Sequence, residues 1–130
     1  MQLFSVASVA ASCTSISNRA AATAAEVDDT LDSHPQLAEV SKRLHHISSN
    51  VLSIQELLPK CSFIGEEVRM ELPHALKTCE SVLSVMDKQL RRLQEVDPQL
   101  EIDSNVIGNY VQYLDAQNQL FNGYKAVLDW

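Results

Sequence analysis

Glycine and proline are scarce, three and four residues in a chain of 130. Sheet proteins need a turn every ~8–12 residues, and those two residues usually supply it. Their scarcity points to long helices. Charge of positive sign is also short, with ten Lys and Arg against seventeen Asp and Glu and a net charge of −7. No basic face is available for nucleic acid, and simple docking on anionic lipid is disfavoured. Cysteines number three (Cys13, Cys61, Cys79), with no C-x-x-C pair and no even framework of bridges. Asn-x-Ser/Thr acceptor sites are absent too. Both absences point to a reducing, cytoplasmic setting. No stretch approaches the ~20 apolar residues of a membrane span.

Catalytic signatures are equally thin. Only Gly65, Gly108 and Gly123 are present, so no glycine-rich phosphate loop can form, and no Gly-x-Ser-x-Gly elbow occurs. Glu71-Leu-Pro-His74 has the Glu-x-x-His spacing of di-iron bundles, which need a second such motif and two further glutamates. None of His34, His45 and His46 has a glutamate three residues earlier. His45 and His46 are adjacent, ~100° apart on a helix, and cannot chelate one metal as an i, i+4 pair would. Lys88, Arg91 and Arg92 form a basic cluster among Asp87, Glu95 and Asp97, which reads as a solvated face. Cys13 and Cys79 fall on apolar stripes and read as buried thiols, leaving Cys61 as the more accessible one. The expectation is a non-enzyme with no cofactor, no metal, no small-molecule substrate and no nucleic-acid partner.

What the sequence does have is helical periodicity. Leu37, Val40, Leu44, Ile47, Val51, Ile54 and Leu58 are spaced 3-4-3-4-3-4, one apolar seam along one helix. Ser33-His-Pro-Gln36 before it reads as a capping box with Pro35 in the first turn, and Pro59 marks its end. A second pattern aligns Val68, Leu72, Leu76, Cys79, Leu83, Met86, Leu90 and Leu93, interrupted at Pro73 and closed by Asp97-Pro98. Pro73 either kinks that helix or restarts it. A third begins at the N-cap candidates Asp103 and Ser104 and repeats through Ile107, Tyr110, Val111, Leu114, Phe121, Tyr124 and Leu128, with Gln117 and Asn118 interrupting the stripe. It reaches Trp130 without a stop signal, which reads either as the N-terminal part of a longer multidomain protein or as a frayed natural end.

The first twenty-five residues hold one charge, Arg19, and fifteen Ala, Ser or Thr. Val6, Val9, Cys13, Ile16, Ala20, Thr23 and Val27 again follow 3-4 spacing, and the phase continues past Arg19. No basic residue precedes the apolar part, as a secretory leader would require. The reading is a bundle helix, with a cleaved signal peptide on a secreted helical protein as an alternative. Four apolar stripes with short links predict one all-α domain over residues 1–130, an antiparallel four-helix bundle with the third helix kinked or broken near Pro73.

The order of these features resembles fungal N-terminal domains attached to STAND (NLR-like) and ankyrin-repeat proteins. The matching segments are "LFSVASVAASCTSIS", the Leu-rich "LHHISSNVLSIQELL", and the L-x-x-A-L-x-x-C-x-x-V-L pattern of Leu72, Ala75, Leu76, Cys79, Val82 and Leu83, followed by "MDKQLRRL". The likeness covers about residues 3–95, while residues 100–130 have no counterpart in it. It implies a HeLo-like signalling domain of programmed cell death. In such domains oligomerisation leads the N-terminal helix to engage membrane or partner, here Leu3, Phe4, Val6, Val9 and Ile16. Self-association or another protein partner is then expected, with membrane recruitment as a further expectation. A plain helical adaptor that binds a partner helix without lipid contact is the other reading of the same residues.

Overall fold

A computed structural model describes residues 4–96 and 103–129, with the side chains of residues 93–96 left aside. Four α-helices make up the fold: α1 (Val6–Asp29), α2 (Ala38–Leu57), α3 (Glu66–Val96) and α4 (Ser104–Leu128). Ser5 caps α1 by accepting the Ser8 backbone N–H at 3.2 Å, and Asp103 caps α4 by accepting that of Asn105 at 2.9 Å. Each cap satisfies a backbone donor that has no partner within its own helix.

The Ser33–Gln36 segment does not form a capping box. No side chain caps the entry to α2; a 3₁₀ turn, Pro35–Leu37, leads into it instead. Backbone bonds from Ser33 and His34 to the Thr30 carbonyl hold this corner, so the chain itself does the work assigned to the serine hydroxyl. At the other end of α2, Pro59 sits in a second 3₁₀ turn, Leu58–Lys60, as its helix-stopping role requires. Of the two outcomes open at Pro73, a kink and a restart, the restart does not occur: α3 is one continuous helix through Pro73. Proline removes only the donor that would meet the Arg69 carbonyl, and both residues face solvent. The Asp97-Pro98 stop lies outside the described residues.

Every seam position of α2 is buried, from Leu37 and Val40 through Leu44, Ile47, Val51 and Ile54 to Leu58. Leu76, Cys79, Leu83, Met86 and Leu90 of α3 meet them in one core, with Val9, Cys13, Ile16, Ala20, Ala24 and Val27 of α1 and Leu114, Phe121 and Tyr124 of α4. Small buried residues on α1 (Ser17, Ala20, Thr23, Ala24) let it lie close against α2, the most extensive packing in the molecule.

Cross-helix bonds fix the directions. Ser17 on α1 bonds Ser48 on α2 (Oγ to Oγ, 2.9 Å), while Asp28 accepts from Ser41 and pairs with His45 at 3.1 Å, so α1 and α2 are antiparallel. Arg43 bonds Asp115 at 2.7 Å, and Asn50 donates to Asn118 at 2.8 Å, so α2 and α4 run parallel. Glu26 pairs with Arg91 at 2.9 Å while the start of α1 lies beside Arg69–Lys77, so α1 and α3 are parallel as well. Tyr110 bonds Gln89 and Tyr124 reaches Glu71, so α3 and α4 are antiparallel. Around the bundle the order is α1, α2, α4, α3, with α2 and α3 across a diagonal. Helices consecutive in sequence do alternate in direction. The link after α2, residues 58–65, crosses one end of the bundle instead of making a tight hairpin.

Candidate interaction surface

This topology gathers the start of α1, the end of α2, the start of α3 and the end of α4 at one end of the bundle. The Cys61 thiol at the close of α2 donates to the Leu128 carbonyl at 3.3 Å, tying the crossing link to α4. Three large apolar side chains stand exposed here: Phe63 (82%), Met70 (70%) and Val127 (59%). Phe4 and Ile64 pack partly against the core beside them.

A cleft of about 770 Å³ opens between α1 and α3 at this end. From α1 and the two residues before it the cleft is lined by Phe4, Ser5, Ser8 and Val9, and from α3 by Arg69, Met70, Pro73, His74 and Lys77. The cause lies in side-chain size, because serines on α1 face α3 and cannot fill the space between two helix cylinders. No carboxylate among the described residues lines the cleft. Among the described residues neither Arg69 nor Lys77 forms an ion pair.

The α1–α3 seam continues into a second cleft of about 390 Å³, lined by Ser15, Asn18, Arg19, Ala22, Thr23, Asp87 and Arg91. Here the charges are largely spoken for. Arg91 pairs with Glu26 and with Asp87, the latter at 3.3 Å. Burial and the neighbouring Asp87 push the Glu26 carboxyl up, against the pull of Arg91. The Arg19 Nε is buried without a hydrogen-bond partner among the described residues.

The residues singled out from sequence fall in different places. Val9 and Ile16 are in the core, Phe4 and Val6 are partly buried at the start of α1, and Leu3 lies outside the described residues. Of the described residues in that set, Phe4 and Val9 line the larger cleft. Glu71 accepts from Tyr124 at 3.5 Å, and His74 points into the cleft lining instead of toward a metal set. No group of three or more His, Cys, Asp and Glu able to hold a metal occurs among the described residues. Burial pushes the Cys13 thiol up to about 11 and that of Cys79 to about 12, which suppresses the thiolate in both. Among the described residues, no helix is long and apolar enough to cross a membrane.

Sequence reasoning missed Phe63, Met70, Arg69 and Lys77. A signal was there, since Met70 is apolar but out of register with Val68, Leu72 and Leu76, and such a residue faces outward. Comparison with protein families, with curated proteins and with solved structures finds no match to this chain.

Proposed function

We propose that this chain is a non-enzymatic helical signalling domain that acts by protein–protein contact, with a second copy or another protein, through the end of the bundle where α1 begins. One observation carries the reading: Phe63, Met70 and Val127 are each largely exposed at that end, while the α2 seam from Leu37 to Leu58 is buried in the core. They are the three most exposed large apolar side chains among the described residues, and apolar surface gathered at one end suits a contact site. The resemblance to HeLo-like domains suits an oligomerising role in the cytoplasm.

Membrane engagement by α1 is the less favoured form. Val9, Cys13, Ile16, Ala20, Ala24 and Val27 all face the core. Freeing them into water costs on the order of 10 kcal/mol, counting ~1.5–3 for each Val or Ile and about 1 for each smaller residue, a barrier to release that lipid repays only after insertion. That is comparable to the ~5–15 kcal/mol stability of a whole domain. Protein contact at the exposed end needs no such opening.

The test is photo-crosslinking in cells, with a photoreactive residue placed at Phe63, Met70 or Val127 and, as controls, at the exposed Ala22 or Arg92. Discrete adducts from the end positions alone support the reading. Adducts equally abundant at all five positions, or at none, contradict it.

A further inference from the structure

We infer that the cleft between α1 and α3 receives an acidic amphipathic helix of a protein partner, an assignment that rests on the interaction reading above and names the partner's chemistry. Three observations converge on it. The lining is apolar in part, with Phe4, Val9, Met70 and Pro73, and Met70 is largely uncovered. Methionine adapts its shape to varied apolar partners, which suits it to a helix-binding groove. The rim is cationic. Arg69 and Lys77 flank the cleft with His74 between them, and among the described residues neither cation forms an ion pair and no carboxylate lines the cleft, in a chain of net charge −7. A positive site on a negative molecule selects for acidic groups and disfavours basic ones.

The third observation is shape. Residues 69 to 77 rise about 12 Å along α3, roughly two helical turns at ~1.5 Å per residue. The wall facing them is Phe4 and Ser5, just before α1, and Ser8 and Val9 in its first turn, on a helix running parallel to α3, so the cleft is a trough with one cation near each end. Apolar side chains one turn apart on an incoming helix would enter the trough, and Asp or Glu on its flanks would meet Arg69 and Lys77. A flat bilayer cannot fill a concave trough, and two cations on a molecule of net charge −7 are a weak basis for anionic lipid.

The experiment titrates the isotope-labelled chain with two synthetic amphipathic peptides of about 16 residues, identical except that the flanks of the apolar stripe carry Glu in one and Lys in the other. Saturable binding of the Glu peptide is expected, with amide shifts centred on Phe4, Ser8, Met70 and His74. The Lys peptide should bind at least about tenfold more weakly, since two attractive contacts become repulsive. The double variant Arg69→Glu/Lys77→Glu, altered only at exposed positions, should reverse that preference, with an unchanged thermal melt showing that it is folded. Met70→Asp should weaken both peptides. Equal binding of the two peptides, shifts centred elsewhere, an unreversed preference or no saturable binding would overturn the assignment. So would capture by phosphatidylserine-containing vesicles that is lost in the double variant while neither peptide binds. Crosslinks that persist at Phe63, Met70 and Val127 after such a result would leave the interaction reading standing and remove only the acidic helix.

Discussion

Replacing Ile16 with alanine tests whether α1 is held in the core in solution. Ile16 is fully buried, and its neighbour Ser17 bonds across to Ser48 of α2. The substitution removes three carbons. At ~0.8 kcal/mol for each, the transfer loss is about 2.4 kcal/mol. The cavity left behind adds about 1 kcal/mol more, because a helix pinned by cross-helix bonds relaxes only in part. Alanine's better helix propensity returns about 0.4 kcal/mol. The net loss is about 3 kcal/mol, or roughly 10 °C in Tm for a domain of this size. Urea unfolding followed by circular dichroism at 222 nm measures it, with an unchanged m-value showing that the unfolding unit is the same. Ser15→Ala, one residue away on the exposed face, is the control and should change stability by no more than about 0.5 kcal/mol. A loss below about 1 kcal/mol for Ile16→Ala would refute the packing of α1.

Other consequences are as direct. Asn118 is buried, accepting from Asn50 at 2.8 Å and donating to the Arg43 carbonyl at 3.2 Å. Asn118→Ala should cost about 1–3 kcal/mol by leaving Asn50 short of a partner, and in a double-mutant cycle with Asn50→Ala the two losses should be less than additive. Hydrogen bonds from Ser41 and then His45 hold the Asp28 carboxyl below its usual range. A depressed carboxylate contributes stability above its unfolded pKa and loses it as pH falls through the folded value. Stability should therefore decline as pH drops below about 4, and Asp28→Asn should flatten that part of the profile in acid titrations of the unfolding free energy. In native protein a thiol reagent at pH 8 should modify Cys61 first, with Cys13 and Cys79 following only at the rate of unfolding; denatured chains should release three equivalents at once.

The 3-4 spacing was enough to place the α2 seam, since every position from Leu37 to Leu58 in that register is buried. Asp103 was legible as a cap because its chemistry is local. Ser33 was misleading for the same reason. A capping box is a pattern of side chains, and backbone bonds to Thr30 already closed that corner. Asn118 looked like a flaw in the α4 stripe because its partners, Asn50 and the Arg43 carbonyl, lie on another helix some seventy residues away. The diagonal placement of α2 and α3 was hidden too. A link such as residues 58–65 is compatible with either a lateral or a crossing path, and packing chooses between them. The cleft belongs to neither helix alone, since it arises where small α1 residues face Met70 and its neighbours.

Vesicle co-flotation, with circular dichroism melts of residues 1–130 and 23–130, tests most directly whether α1 is a structural helix of a contact domain. An integral α1 means that the full chain stays off anionic vesicles at physiological salt and that residues 23–130 lose the cooperative melt. A full chain that floats with vesicles and releases their dye, while residues 23–130 stay folded and unbound, would contradict it and make α1 a releasable membrane helix.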